Sequence, residues 1–472
     1  MVVEPTWKRI GLTDKLSEDS GKGIGIIILD GALSHVSLSH LKGRAKLIKV
    51  RKDMTISCTD LFEEPLTEEV EKEEHGLMVL SLLAHQPMEY RGMEYAGLAP
   101  SANYIFLSSY IPERRKKGLE WILQQDWGFP LKICLNLLVP QERGWMSPTH
   151  LDPYVQALQP AVDAGLLVIA AGGNSRAHNN LHPKQYFTVS GYNDKGFSEL
   201  NNYEVHPAVA SGVNSDGHWR PDILAPYTYL PLPSLERDGV DYFSATCGSA
   251  SLITGLCAYL FSIFPDLTVN NIRNALMETG DVLEGFPAPI VNARKAFKAL
   301  KEGNRNDKHL SLEPTVVVTN EKESILSADP LERSLALTML IKDRQLSREE
   351  IWDYTNDESP MVKKVAIQGL GNPINQVERD LYWERVWGES SRDGVKESWA
   401  YTLLETSPIE ELDKWMSLVE TRSFDTRICI TIFLQKYFPD APEIEHSPDP
   451  DPKTMSAIVA PLVEWHKHRF ES

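Results

Sequence analysis

The segment Phe243–Ala258, FSATCGSASLITGLCA, limits what this chain can fold into more than any other stretch. Small residues crowd it from Ser244 to Ser251, an apolar run begins at Leu252, and Gly255 and Ala258 allow close packing. The pattern reads as a turn leading into a buried helix, with one reactive side chain, Cys247, at the helix start. A side chain placed there lies beside backbone N–H groups that have no intrahelical partner, at the positive end of the helix dipole. Both features favour an anion, whether the thiolate of Cys247 or the oxyanion of a tetrahedral intermediate.

Three other segments supply chemistry to go with it. Residues 24–30, IGIIILD, form a β-branched apolar run that reads as a fully buried parallel strand. Asp30 closes that run, at the carboxyl end of a strand, where open α/β sheets build their sites. The acidic stretch EEPLTEEVEKEE stops at His75-Gly76, and LMVLSLLA then starts an apolar helix, which puts His75 at a helix N-terminus too. Residues 165–175, GLLVIAAGGNS, read as another buried strand entering a glycine turn, with Asn174 just beyond. An asparagine amide there can donate to negative charge developing on a carbonyl oxygen.

In this order along the chain, these segments resemble the subtilisin-like serine protease (subtilase) family. IIILDG (26–31) resembles the family's aspartate region, and HGLMVLSLLA (75–84) its histidine motif HGTHVAG with the helix that follows. GLAPSA (97–102), residues 167–174, DILAP (222–226) and IVNARKAFKAL (290–300) are similar to further family segments, and ATCGSASLITG (245–255) aligns without gaps on GTSMASPHVAG. The likeness spans about residues 7–302. It implies an α/β fold, a subtilisin-like parallel sheet flanked by helices, and hydrolysis of peptide bonds. By the same resemblance Asp30 and His75 are the orienting carboxylate and the base, Cys247 the nucleophile and Asn174 the oxyanion donor. Asn136, Leu137 and Leu138 fall on the substrate-binding segment that usually reads SLG. No cofactor is implied.

The departures bear on function. Cysteine occupies the nucleophilic serine position, Ala245 that of the preceding glycine, Ser251 that of the following proline, and Met78 that of the second histidine. Leu138 replaces the glycine that opens the first specificity pocket, which would narrow it. Three readings of Cys247 stay open. It is a native nucleophile; or the protein is a silent homologue serving as a binding module, or carries an engineered serine-to-cysteine replacement; or the register slips and Ser244 or Ser249 attacks. A buried, merely structural thiol fits Cys134 and Cys257 better than Cys247.

The 472 residues exceed one ordinary core. They divide into a peptidase domain at 1–302, a polar linker at 303–325 whose apolar run VVV reads as an edge strand, and an α-helical domain at 326–472. In the last, four segments pair a turn-forming residue with a basic residue and an apolar helix. Their basic residues, Arg333, Lys363, Lys396 and Arg427, recur every 30 to 33 positions, a spacing that loosely resembles HEAT-like helical repeats. Such an array would supply a surface for a regulatory protein partner. The tryptophans Trp383, Trp387, Trp399, Trp415 and Trp465 are expected in its core, and HSPDPDPK (446–453) reads as a rigid polar loop.

Five cysteines without regular spacing imply no disulfide framework. The N-terminal residues have no apolar core of signal-peptide length, and the subtilase-like pattern starts close to Met1, so the expectation is a cytoplasmic protein without a removable prodomain. A net charge of −18 argues against nucleic-acid binding, and no membrane partner is expected. Gly21–Gly25 precedes its strand and so is no phosphate loop. His178 and His182 read as loop residues rather than a metal pair, and no metal site is expected.

Overall fold

The computed structural model describes residues 3–12, 19–31, 34–63, 74–138, 149, 152–175, 182–199, 203–206, 209–214, 216–234, 239–308, 316–390, 393–421, 423–442, 444 and 452–470. The acidic stretch 64–73, His178 and most of HSPDPDPK lie outside the described residues. The chain forms two compact units, one of Met1–Gly173, Asn180–His206 and His218–Pro314, the other of Asn174–Asn179, Pro207–Gly217 and Thr315–Ser472.

The first unit is an α/β domain around a largely parallel sheet. Its strands are β1 (Gly25–Leu29), β2 (Ala45–Val50), β3 (Ile56–Asp60), the hairpin β4 (Met88–Tyr90) and β5 (Met93–Tyr95), β6 (Asn103–Ser108), β7 (Leu131–Asn136), β8 (Leu167–Ala171), β9 (Phe187–Asn193) and β10 (Glu204–Val205). Beyond β11 (Gly212–Val213), which belongs to the second unit, come β12 (Trp219–Arg220), β13 (Ile223–Pro226), β14 (Leu230–Pro233) and β15 (Val240–Phe243). The helices of this unit are α1 (Thr6–Arg9), α2 (Glu74–Ala84), α3 (Pro112–Gln124), α4 (Pro153–Gln156), α5 (Gln159–Asp163), α6 (Thr246–Ile263), α7 (Val269–Glu278) and α8 (Ala293–Lys301).

The nine-stranded sheet runs β10-β9-β8-β7-β1-β6-β2-β3, with β13 also on β9. β1 sits in the middle, parallel to β6 on one side and β7 on the other; only β3 and β10 pair antiparallel. Alternation along β1 explains its unbroken apolar run. Ile26 and Ile28 face a core shared with α2 and α6, whereas Ile27 and Leu29 face a second core with Leu119, Ile122 and Ala161 of α3 and α5. A strand covered on both faces has no polar side to show.

Helix α6 is the spine of the first core. Its length and apolarity would suit a membrane span, but 83% of it is buried within the protein. Gly255 is obligatory there, since a Cβ would stand 2.5 Å from the Leu98 Cβ. Gly97 is equally constrained, with a Cβ only 2.5 Å from the Ala84 backbone nitrogen at the end of α2.

The second unit is helical, with α9 (Glu321–Ser324), α10 (Pro330–Lys342), α11 (Arg348–Asp353), α12 (Pro360–Leu370), α13 (Gln376–Gly388), α14 (Val395–Leu404), α15 (Leu412–Met416), α16 (Phe424–Tyr437) and α17 (Pro452–Phe470). Local signals start these helices. Asp329 caps α10 by accepting from the Leu331 N–H, and Ser347 with Glu350 forms a capping box at α11. α10, α12, α14 and α16 pack one on the next. Polar and aromatic contacts recur at similar spacing: Arg348 with Glu378, Arg379 with Glu411, Trp352 with Tyr382 and Trp383 with Trp415.

Two expectations differ from what is observed. Val316–Val318 form no strand; Val316 donates one backbone bond to the Gly217 carbonyl, and Val317 is exposed. Trp383, Trp399 and Trp415 are fully buried, but Trp387 is 48% exposed, because its indole edge reaches out to the Ser417 hydroxyl.

Candidate active site

The end of β1 and the starts of α2 and α6, which the sequence singled out, bring their polar side chains to one region of the first unit. Asp30 follows β1 directly and is buried. Its Oδ1 accepts from the Gly31 N–H at 2.8 Å, which fixes the carboxylate, and its Oδ2 lies 2.5 Å from His75 Nδ1. His75 is the second residue of α2. Its half-buried imidazole meets the Phe243 ring edge-on at a centroid distance of 5.7 Å, which restrains the ring. With Nδ1 engaged by Asp30, the imidazole is also within the electrostatic reach of Cys247.

Cys247 is the second residue of α6. The first intrahelical bond of that helix runs from Ser249 N–H to Ala245 O, so the N–H groups of Thr246, Cys247 and Gly248 precede the helical ladder. The Cys247 thiol points towards the Leu137 carbonyl, 3.7 Å away, and the residue is 8% exposed. Two departures from the family pattern are accommodated locally. Ala245 has extended backbone (φ −174°) that any residue adopts, and Ser251 returns its hydroxyl to the Cys247 carbonyl at 2.8 Å.

The alternative serines are otherwise engaged. Ser249 is buried and donates to the Pro226 carbonyl at 2.9 Å, and Ser244 accepts from the Tyr229 N–H at 3.0 Å. Of Ser244, Cys247 and Ser249, it is Cys247 that bears on the charge of His75. Gly173, immediately before Asn174 in the chain, donates its N–H to Thr246 Oγ1 at 3.2 Å, which pins the turn after β8 to the start of α6.

Asn136 ends β7, and Leu137 and Leu138 follow it. The Asn136 amide donates to the Leu138 carbonyl at 2.9 Å and accepts from Arg115 at 3.1 Å, so its side chain shapes the segment from behind. Leu138 is half-buried, and residues 139–148 beyond it lie outside the described residues.

Electrostatics separates His75 from the other histidines. Burial opposes its charged form, but hydrogen bonds and charge from Asp30 and Cys247 outweigh this and raise its pKa to about 10. The ring is therefore held towards its charged form, with Asp30 as the partner at 2.5 Å. His85 and His182 are fully enclosed, and burial pushes both down to about 4. Burial also pushes the Cys134 thiol up to about 12 and raises that of Cys257, as suits inert structural cysteines. Among the described residues no group of three or more His, Cys, Asp or Glu side chains is poised to hold a metal ion.

Sequence reasoning missed Tyr110, whose hydroxyl donates to Asp30 Oδ1 at 3.2 Å, and Arg115, which is fully buried behind Asn136. The one available signal was their position just past β6, at a strand's carboxyl end.

Residues 21–307 match the subtilase family, Peptidase S8. The chain is 24% identical over 289 residues to serine protease AprX of Bacillus subtilis (strain 168), covering 56% of this chain and 62% of that protein, so it spans less than two thirds of that relative's length. Among solved structures it is similar to fervidolysin from Fervidobacterium pennivorans, a keratinolytic enzyme related to subtilisin, with 16% identity, 62% of this chain and 45% of that chain covered, and a TM-score of 0.44. It is also similar to a chain from the subtilase cytotoxin SubAB assembly, with 17% identity, coverage of 63% and 97%, and a TM-score of 0.47.

Proposed function

The chain belongs to the subtilase family, and we propose that it is an endopeptidase in which Cys247 is the nucleophile, His75 its proton partner, Asp30 the carboxylate that orients His75, and Asn174 an oxyanion donor. The observation that carries this reading is the contact of His75 with Asp30 at 2.5 Å, together with the influence of Cys247 on the same imidazole. A cationic imidazole held by a carboxylate is a fitting partner for a cysteine nucleophile.

In that mechanism the sulfur attacks the scissile carbonyl carbon, and the carbonyl oxygen gains charge facing the Cys247 N–H, with Asn174 as the further donor that the family resemblance implies. His75 then gives its proton to the departing amine, leaving a thioester and a neutral imidazole. The neutral ring takes a proton from water as that water attacks the thioester, and the thiolate–imidazolium pair returns. The substrate backbone would lie along Asn136–Leu138, with Leu138 restricting the side chain next to the scissile bond, so the enzyme cleaves a restricted protein or peptide substrate.

The helical unit supports a reading as HEAT-like repeats, because Arg348 to Glu378 and Arg379 to Glu411 repeat one contact at spacings of 30 and 32 residues. Its role would be to hold a regulatory protein partner or the substrate. All five cysteines are unpaired, which suits a reducing, cytoplasmic location.

The second reading is a silent or engineered serine-to-cysteine homologue acting as a binding module. Cysteine at a position the family reserves for serine favours it. Incubation with a peptide library and mass-spectrometric readout separates the two. Cleavage by wild type that disappears in Cys247→Ala is expected; cleavage by Cys247→Ser but not by wild type would establish the second reading instead.

A further inference from the structure

The Asp30 carboxylate receives three donors rather than the two that the family reading needs: His75 Nδ1 on Oδ2, and Gly31 N–H and the Tyr110 hydroxyl on Oδ1. Burial, followed by the charge of Asp30, raises the Tyr110 pKa, so this phenol stays protonated and remains a donor. Five residues on, Arg115 is 1% exposed. Among the described residues no carboxylate pairs directly with it. Its Nε and Nη2 donate to the Ser109 carbonyl at 3.0 and 2.8 Å, and its Nη1 donates to Asn136 Oδ1 at 3.1 Å. Asn136 in turn donates to the Leu138 carbonyl at 2.9 Å.

A guanidinium buried on neutral acceptors is costly unless a nearby charge offsets it. Burial does weaken Arg115 as a cation, and the carboxylate whose field works against that loss is Asp30. The side chain therefore ties the segment after β6 to the end of β7. It clamps the Ser109 carbonyl, next to Tyr110, and through Asn136 it fixes the segment at Leu138.

We propose that Tyr110 and Arg115 are positioning residues, forming a hydrogen-bonded path from Leu138 through Asn136, Arg115 and Ser109 to Tyr110 and Asp30. This path sets the substrate-binding segment and the orientation of His75 together. The inference rests on the peptidase reading above, and it adds residues that the sequence motifs do not contain. The charged and titratable groups facing the cluster are Asp30, His75, Cys247, Tyr110 and Arg115, with Cys134 and Tyr154 also close to Arg115.

The test uses the full chain as wild type, His75→Ala, Tyr110→Phe and Arg115→Met. Alkylation of Cys247 is followed by peptide mapping across a pH series, with iodoacetamide as a small probe and a peptidyl chloromethyl ketone as one that must lie along residues 136–138. Cys58, an exposed thiol away from the site, is the internal reference and should not change. Tyr110→Phe frees the carboxylate to turn, and it should slow alkylation of Cys247 by iodoacetamide roughly threefold at the lower pH values of the series. Arg115→Met should slow the peptidyl reagent about tenfold more than iodoacetamide, because the segment that aligns it is loosened.

A Tyr110→Phe profile that coincides with wild type, or an Arg115→Met variant that slows both reagents equally, overturns the proposal. Tyr110→Phe removes one partly exposed hydroxyl and keeps the test decisive if Arg115→Met does not fold. If wild type and His75→Ala alkylate alike, it is the peptidase reading that has failed. If those two differ and Tyr110→Phe matches wild type, only the positioning path has failed.

Discussion

Replacing His75 with alanine should leave Cys247 in place but strip it of its counter-ion. In the native site the imidazole is held towards its charged form by Asp30 at 2.5 Å, with Cys247 adding to the effect. A free thiol with an ordinary pKa near 8.5 is about 3% thiolate at pH 7, so pairing with a cation can raise the reactive form by at most about thirtyfold. Stabilised thiolates are weaker nucleophiles, with a Brønsted slope of about 0.4–0.5, which takes back about half of that gain on a logarithmic scale. The net expectation is an iodoacetamide rate at Cys247 about fivefold to tenfold lower in His75→Ala at pH 7, converging on wild type at higher pH. The assay is mass-spectrometric mapping of the Cys247 peptide over time. Equal rates at pH 7 would mean that His75 does not activate the sulfur, and the nucleophile assignment would fall with it.

The same pair makes a stability prediction. His75 has a folded-state pKa raised from 6.5 to about 10, so its stabilisation is fully present below about 6.5 and is lost as pH rises through about 10. The ring is partly open to solvent, so screening leaves about 1–2 kcal/mol of the nominal effect; denaturation of wild type and His75→Ala should show a gap that closes with rising pH, and a gap that widens refutes it. Arg9→Met should cost about 3–5 kcal/mol, because Arg9 and Asp194 are fully buried and joined by two bonds at 2.6 and 2.7 Å. Adding Asp194→Leu should recover part of that loss, and an unchanged urea midpoint for Arg9→Met would show that the pair is not stabilising. Leu138→Gly should broaden cleavage of a peptide library towards bulky side chains; an unaltered profile would discard the narrowed pocket.

The features legible in the sequence were those written locally. Asp30 ends a β-branched run, His75 and Cys247 begin apolar helices, and Asn174 follows a strand and a glycine turn. Each context comes from the period of apolar residues or from small residues at a turn. The run Val316–Val318 misled because β propensity needs a partner strand to act on, and these residues make a single backbone bond to Gly217. Trp387 misled in the opposite way, since helical spacing does not reveal which face of α13 its neighbours cover.

The sequence alone determined which elements exist, the order in which the chain presents a carboxylate, an imidazole, an amide and a thiol, and hence the subtilase family. The tertiary structure decided how the carboxylate, imidazole and thiol meet and what surrounds them. His75 lies 2.5 Å from Asp30 across 45 positions, Tyr110 reaches the same carboxylate across 80, and Arg115 reaches Asn136 across 21. The placement of β1 between β6 and β7 brings these strand ends together. Such contacts depend on strand register and helix packing, which residue periodicity leaves open. They turn Cys247 from an odd residue at a helix start into a sulfur beside a charged imidazole.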